Sequence, residues 1–337
     1  MAKQKNENLH SAKNSKKDEF YTQLIDIEKE LKHYKEHFKD KVVYCNCDDP
    51  RVSNFFHYFS YNFEKLGLKK LIATCYKSQN MDLFSKNDSE NAIYLEYEGD
   101  KNKNNIPDTE EIGIKKLKGD GDFRSKECIE LLKQSDIVVT NPPFSLFREY
   151  VAQLVEYEKQ FLIIGSMNAI TYKEIFKLIK ENKLWIGNGF ANGNAFFKIP
   201  SDNNRTFANG VFDKETGLVK FRNVNWYTNL DVAKRHEDLI LYKTYNQEEY
   251  PKYDNYNAIN VDKTKDIPMD YAGYIGVPIT FLDKYNPKQF EIIGMSASAG
   301  YDAEVVGLPK FDGYKDARPL INGKNTYARV FIKNKKL

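Results

Sequence analysis

A strand-like run, Ile137-Val138-Val139, ends in Thr140-Asn141-Pro142-Pro143-Phe144, and a helical pattern opens directly behind it. Two prolines are a costly connection, because each removes a backbone donor and fixes φ near −65°. One chemistry suits the arrangement. An exocyclic amine on an aromatic ring is a poor nucleophile, since its lone pair is delocalised into the ring. Acceptors on both of its N–H groups draw the nitrogen toward a tetrahedral form. The Asn141 side-chain oxygen and the Pro142 carbonyl are two such acceptors. Pro142 and Pro143 hold that carbonyl still, and Phe144 offers a face for a purine, with stacking worth about 1–3 kcal/mol per base. The plain alternative is a strand-to-helix turn with proline in its first turn. By residue frequencies an Asn-Pro-Pro-aromatic string arises by chance in roughly one chain of this length in several hundred.

A nitrogen nucleophile of this kind needs an electrophilic carbon. The sulfonium methyl of S-adenosylmethionine supplies one, and direct attack makes alignment the main source of rate. No ionised group stands within the corner and none is required. A cytosine C5 mechanism would need a Cys nucleophile, normally after Pro, and no Pro-Cys pair occurs. The five histidines form no ligand cluster beyond His33 and His37 on one helix, without the surrounding motif of a zinc site.

The elements that must carry the corner read as alternating strands and helices. A helix is expected over Thr22–Phe38, then a strand in VVYCNC, a helix in PRVSNFFHYFSYNFEKLGL and a strand in KKLIATCY, together a βαβ unit. AIYLEY, DIVVT and FLIIG are further strands, and SKECIELLKQS, SLFREYVAQLVEYEK and TYKEIFKLIKENK further helices. Such alternation predicts an α/β fold, a doubly wound and mostly parallel sheet, with ligands at the carboxyl ends of its strands. After about residue 185 the pattern turns to short strands, in NAFFKIP, LVKFRNVNWYTNL and LILYKTY, then to an irregular C-terminal recognition region.

DEFYTQ, VVYCNCDDPRVSNFF, GDGDFRS, VVTNPPFSLFREY and GVPITFLDKYNP together resemble the EcoRI-type adenine-specific DNA methyltransferases, the modification partners of restriction enzymes. The likeness is strong over about residues 10 to 185 and weaker over 187–222 and 295–320. It implies a class I S-adenosylmethionine-dependent methyltransferase fold, methylation of adenine N6 in duplex DNA with the base flipped out, and a restriction endonuclease acting on the same site. If it extends to specificity, that site is GAATTC.

The resemblance also nominates residues. Asn141, Pro142, Pro143 and Phe144 are catalytic. Phe20, Tyr21 and Thr22 would close over the methionine end of the cofactor. Alternatively, they form a helix entry with Thr22 as its cap. Asp48 and Asp49, with Ser53 and Asn54 at a helix N-terminus, would hold the methionine amino group, or serve as an acidic cap alone. This corner lacks the usual glycines. Asp122 would accept from the cofactor's adenine amino group and Phe123 would pack on its ring; a Gly-Asp turn is the alternative. Lys16, Lys17, Arg148, Arg205, Arg222 and Arg235 are candidate phosphate contacts, though a solvated charge is the commoner role for each. The expected division is a mobile basic tail at 1–17, a catalytic domain at 18–245 with a DNA-contacting insert at 187–222, and target recognition at 246–337. An RNA or protein-amide methyltransferase with the same corner, or an inactive DNA-binding relative, remain alternatives.

Composition bounds the rest. The 337 residues are 41% hydrophobic and 29% charged, enough for a sizeable core, and a net charge of +3 makes any basic surface local. The four cysteines show no CxxC pair and read as reduced thiols of a cytoplasmic protein. No apolar run approaches the ~18 residues of a membrane span, and no metal is called for.

Overall fold

The computed structural model describes residues 21–47, 53–74, 92–108, 110–190, 193–199, 209–296, 307–308, 310–314 and 317–337. Two compact units divide these: one takes in the described residues through Met167 with Gly189–Leu230, the other Asn168–Asn188 with Asp231–Leu337.

The first unit is built on β1 (Tyr21–Thr22), α1 (Leu24–Leu31), β2 (Val42–Asn46), α2 (Asn54–Tyr61), α3 (Phe63–Leu66), β3 (Lys70–Thr74), β4 (Ile93–Tyr97), β5 (Gly113–Lys116), α4 (Lys126–Gln134), β6 (Ile137–Thr140), α5 (Phe147–Glu156) and β7 (Gln160–Ser166). In the second, α6 (Lys173–Lys180) and β8 (Trp185–Ile186) come next. The first unit resumes with β9 (Ala195–Lys198), β10 (Phe212–Asp213), β11 (Leu218–Phe221) and β12 (Val224–Thr228).

Its large sheet runs β5-β4-β3-β2-β6-β7-β12. The inner strands β3, β2, β6 and β7 are parallel, as expected. Both flanks are antiparallel, β4 on β3, β5 on β4 and β12 on β7, so the sheet is mixed. Val43, Tyr44, Leu71, Ile72, Val138, Val139, Leu162 and Ile163 are wholly buried, which is why the inner strands are apolar without alternation. The chain runs from β2 outward to β3 and returns on the other side at β6. Neighbouring strands thus lead away in opposite directions, the arrangement whose carboxyl ends form the ligand crevice of doubly wound sheets. α5 packs closely on β7: a Cβ on Gly165 would lie 2.7 Å from Phe147 Cζ.

A second sheet of this unit has the order β1-β9-β11-β10, all antiparallel. The expected strand material in LVKFRNVNWYTNL is split between the two sheets. Val219, Phe221, Val224 and Trp226 are spaced two, three and two apart, and the odd step falls at exposed Arg222-Asn223.

The helix expected over Thr22–Phe38 is shorter. α1 ends at Leu31, and a 3-10 turn at Lys35–His37 follows. Spacings of three serve a 3-10 turn as well as a helix, so Tyr34 and Phe38 are still fully buried. Thr22 is not the helix cap; Gln23 holds that position without a side-chain bond.

The second unit also carries β13 (Ala258–Asn260), β14 (Tyr274–Pro278), β15 (Phe290–Met295), β16 (Leu320–Ile321), β17 (Lys324–Asn325) and β18 (Arg329–Asn334). Its sheet runs β13-β14-β18-β15, with Tyr253, Tyr256 and Phe331 in its core. LILYKTY, Leu239–Tyr245, forms no strand; only Lys243 makes a bridge, to Pro268.

Candidate active site

β6 places the Asn-Pro-Pro-Phe corner at its carboxyl end, between parallel neighbours β2 and β7. The Thr140 hydroxyl donates to the main-chain carbonyl of Asn46, which ends β2, so the two strand ends are tied together. Asn141 is 7% exposed and Pro142 is buried. Pro143, at φ −55° and ψ 124°, opens the 3-10 turn Phe144–Leu146, and its carbonyl accepts from the Leu146 N–H at 3.0 Å. Pro143 thus stands where a fixed φ is wanted, at the entry of the turn.

Phe144 is half-buried and lines a cleft of about 540 Å3 with Ser166, Lys220, Phe221, Arg222 and Asn223, a volume suited to a small ring system. Asn141 does not line this cleft. Phe221 meets Phe144 edge-on, centroids 6.4 Å apart at 89°. Behind it the aromatic contacts continue through Phe197, Phe190 and Trp226 to Phe55 on α2. The lining of the cleft is therefore both aromatic and basic.

The β2 corner does without glycine, yet Cys47 adopts φ +87°, the left-handed turn a glycine usually supplies. Such a conformation costs a non-glycine residue about 1–3 kcal/mol and collects at sites where the turn itself is needed. Ser53 is the N-cap of α2, accepting from the Phe56 N–H at 3.5 Å, and Asn54 follows it. Asn54 donates its side-chain N–H to the Thr22 carbonyl, which joins two segments nominated separately. The Thr22 hydroxyl is buried and has no hydrogen-bond partner among the described residues, an orphaned polar group in the segment expected to close over a cofactor. Tyr21 and Thr22 lie on β1, paired with Lys198 and Phe197.

Asp122 forms a forked ion pair with Arg124, 2.7 Å between Oδ2 and Nη2 and 2.9 Å between Oδ1 and Nε. Burial opposes ionisation of Asp122, but the Arg124 hydrogen bonds and charge prevail and hold the carboxyl below its usual range. A carboxylate has about four lone-pair positions, so Oδ2 keeps capacity for a further donor. The Phe123 ring is buried edge-on against Tyr150, with the Arg124 guanidinium 5.3 Å from its centroid. The residues present therefore fit S-adenosylmethionine: a tight turn, an orphaned hydroxyl and an acceptor carboxylate.

Two residues at this crevice were not singled out from sequence. Asn46 is 4% exposed, and its side-chain oxygen accepts from the hydroxyl of fully buried Tyr150. A polar residue ending an otherwise apolar strand was the available signal for Asn46; Tyr150 lies in an ordinary amphipathic pattern and gave none. Cys128 is buried and its thiol pKa is pushed up chiefly by that burial, which does not favour a thiolate nucleophile.

Of the candidate phosphate contacts, Arg222 lines the cleft and Arg148 is exposed on α5. Arg235, in the second unit, is half-buried; its guanidinium lies 3.8 Å from the Trp185 ring centroid and donates to Asn182 at 2.9 Å. Lys16, Lys17, Phe20, Asp48, Asp49 and Arg205 lie outside the described residues. Among the described residues no set of His, Cys, Asp and Glu is placed to hold a metal ion, and no helix is long and apolar enough to cross a membrane.

A mixed α/β sheet with an Asn-Pro-Pro-Phe corner at the carboxyl end of a central parallel strand defines a methyltransferase. The family described as adenine-specific methyltransferase EcoRI matches residues 8–335, and the chain belongs to it. The chain is 53% identical to the Type II methyltransferase M.EcoRI of Escherichia coli, over 98% of each chain. It is 41% identical to Type II methyltransferase M.MpnI of Mycoplasma pneumoniae, over 97% of this chain and 98% of the other. Type II methyltransferase M.MgeORF184P of Mycoplasma genitalium is 39% identical, over 98% of this chain and 99% of its own. No solved structure matches the chain.

Proposed function

We propose that this adenine-specific enzyme methylates N6 of a flipped-out adenine in duplex DNA, with S-adenosylmethionine as donor, on a class I methyltransferase fold. The carrying observation is the corner after β6: a buried amide and a proline-held main chain beside an aromatic and basic cleft. When bound, the cofactor supplies a sulfonium methyl. Asn141 and the Pro142 carbonyl accept from the amine, which frees its lone pair, and Phe144 stacks on the purine. Thr22, Asn54 and the turn at Cys47, with Asp48 and Asp49 beyond it, hold the methionine end; Asp122 and Phe123 hold the adenine end. Lys220 and Arg222 meet the phosphates next to the extruded nucleotide, which repay the few kcal/mol of unstacking.

The kinship with Type II methyltransferases supports a modification role alongside a restriction endonuclease, with a GAATTC-like site the first to try. Residues 18–245 form the catalytic region in this reading, with 187–222 contacting DNA and 246–337 reading sequence. The test is transfer of labelled methyl from S-adenosylmethionine to duplex DNA, followed by mapping of the modified base. Label on adenine N6 at one sequence is the expected result. Label on RNA or protein instead, or cofactor binding without transfer, would overturn it.

A further inference from the structure

Tyr150 joins its own helix to two other segments. It lies on α5, the helix that opens from the Asn-Pro-Pro-Phe corner, and is fully buried. Its hydroxyl donates to the side chain of Asn46, the last residue of β2, and so reaches the turn on the cofactor side. Its ring meets Phe123 in a T-shaped contact, centroids 5.0 Å apart at 75°. Phe123 is fastened to the same helix again, its carbonyl accepting from Gln153 Nε2 at 3.1 Å. Asn46 is thus held twice, by Thr140 through its main chain and by Tyr150 through its side chain. Packing a helix on a sheet asks for none of this, since a phenylalanine at 150 would fill nearly the same volume.

We propose that Tyr150 is a positioning residue for methyl transfer: its bond to Asn46 fixes the donor side of the crevice against the Asn141 side without touching either reactant. The proposal rests on the functional reading above. Burial pushes the Tyr150 hydroxyl well above its ordinary pKa, so it remains a donor throughout the working range. A shift of about 1 Å between aligned reactants can cost about 10²-fold in rate, so loss of one such bond matters most after both reactants are bound.

The full-length Tyr150→Phe variant keeps the ring and its contact with Phe123 and removes the hydroxyl, with its bond to Asn46 and its contact with Cys47. Its single-turnover rate, with S-adenosylmethionine and duplex DNA saturating, is expected to fall about 10–100-fold. The dissociation constants of S-adenosylhomocysteine and DNA should change by less than about threefold, since Phe123 and the basic cleft are untouched. A purely structural role would lower the melting temperature and leave the rate per folded molecule at the parent value; that result overturns the proposal. Asn46→Ala cuts the same bond from its other end and decides the matter should Tyr150→Phe not fold. The double change should cost no more than Tyr150→Phe alone, because the shared bond is already lost in that variant. A parent that methylates no DNA would sink the functional reading and this proposal with it, whereas equal rates in an active parent and variant remove only the proposal.

Discussion

The side-chain nitrogen of Asn54 donates to the main-chain carbonyl oxygen of Thr22 at 2.7 Å, joining the first turn of α2 to β1. Two segments far apart in sequence and assigned to one ligand are thereby a single structural unit. Asn54→Ala should release β1 from α2 and raise the KM for S-adenosylmethionine by about 3–10-fold, the equivalent of one hydrogen bond, with kcat nearly kept. Steady-state kinetics at saturating DNA checks this; an unchanged KM means that the bond serves the fold alone.

In the proposed mechanism, Asn141→Ala removes one of the two acceptors for the target amine. Losing one preorganised electrostatic partner typically costs about 10²–10³-fold in kcat, and at least that is expected here. DNA affinity in a gel-shift titration should stay within about threefold, because the residues proposed to meet phosphates are others. Turnover near the parent rate would show that the corner is only a turn.

Lys220 and Arg222 line the cleft, whereas Arg235 is committed to Trp185 and Asn182. Removing Lys220 or Arg222 should weaken DNA binding and lower the slope of log affinity against log salt by about one per charge. Arg235→Ala should leave that slope alone and cost stability through lost packing on the indole. Binding titrations at several salt concentrations separate the two outcomes.

Gly165 is fixed by the close approach of α5, with Phe147 occupying the space of a side chain. Gly165→Ala should destabilise by about 1–3 kcal/mol through overpacking. Denaturant titration measures the loss, and Phe147→Leu in the same chain should recover part of it. If alanine is tolerated without cost, the helix is free to move away from β7.

Asp26 is 8% exposed and lines a cleft with Ile25 and Phe196. Burial raises its pKa, with Lys29 offsetting only part of the effect. A carboxyl whose folded pKa is raised is penalised in its charged form, so the fold is favoured while it is protonated and loses that advantage as the pH rises through the folded value. Asp26→Asn should therefore raise the melting temperature at pH 7 and have little effect below about pH 4, where the parent is protonated as well. Equal effects at both pH values would mean that the charge is not the cause.

The inner parallel strands were legible because burial on both faces leaves long apolar runs such as Val42–Cys45 and Ile137–Val139, and the place of the Asn-Pro-Pro-Phe corner at the end of β6 was legible because two prolines stop an apolar run there. The direction of β4 was not. β4 pairs antiparallel with β3, and a short run such as Ile93–Tyr97 has the same pattern read in either direction. Asn46 and Tyr150 escaped notice because their importance lies in a bond between residues distant in sequence, which neither local pattern records. Cys47 shows the converse. The absence of glycine after β2 suggested a poor cofactor turn, yet the left-handed backbone is there with a larger residue bearing its strain.

β5, the outermost described strand on its side of the large sheet, is exposed along its whole length, and Ile114 is 61% exposed there. Lys115 and Lys116 follow Ile114 in the strand, a placement that discourages a second molecule from docking strand to strand. Neutralising both lysines would leave a bare hydrogen-bonding margin with an isoleucine in it, and concentrated protein would then tend to associate through that margin and come out of solution.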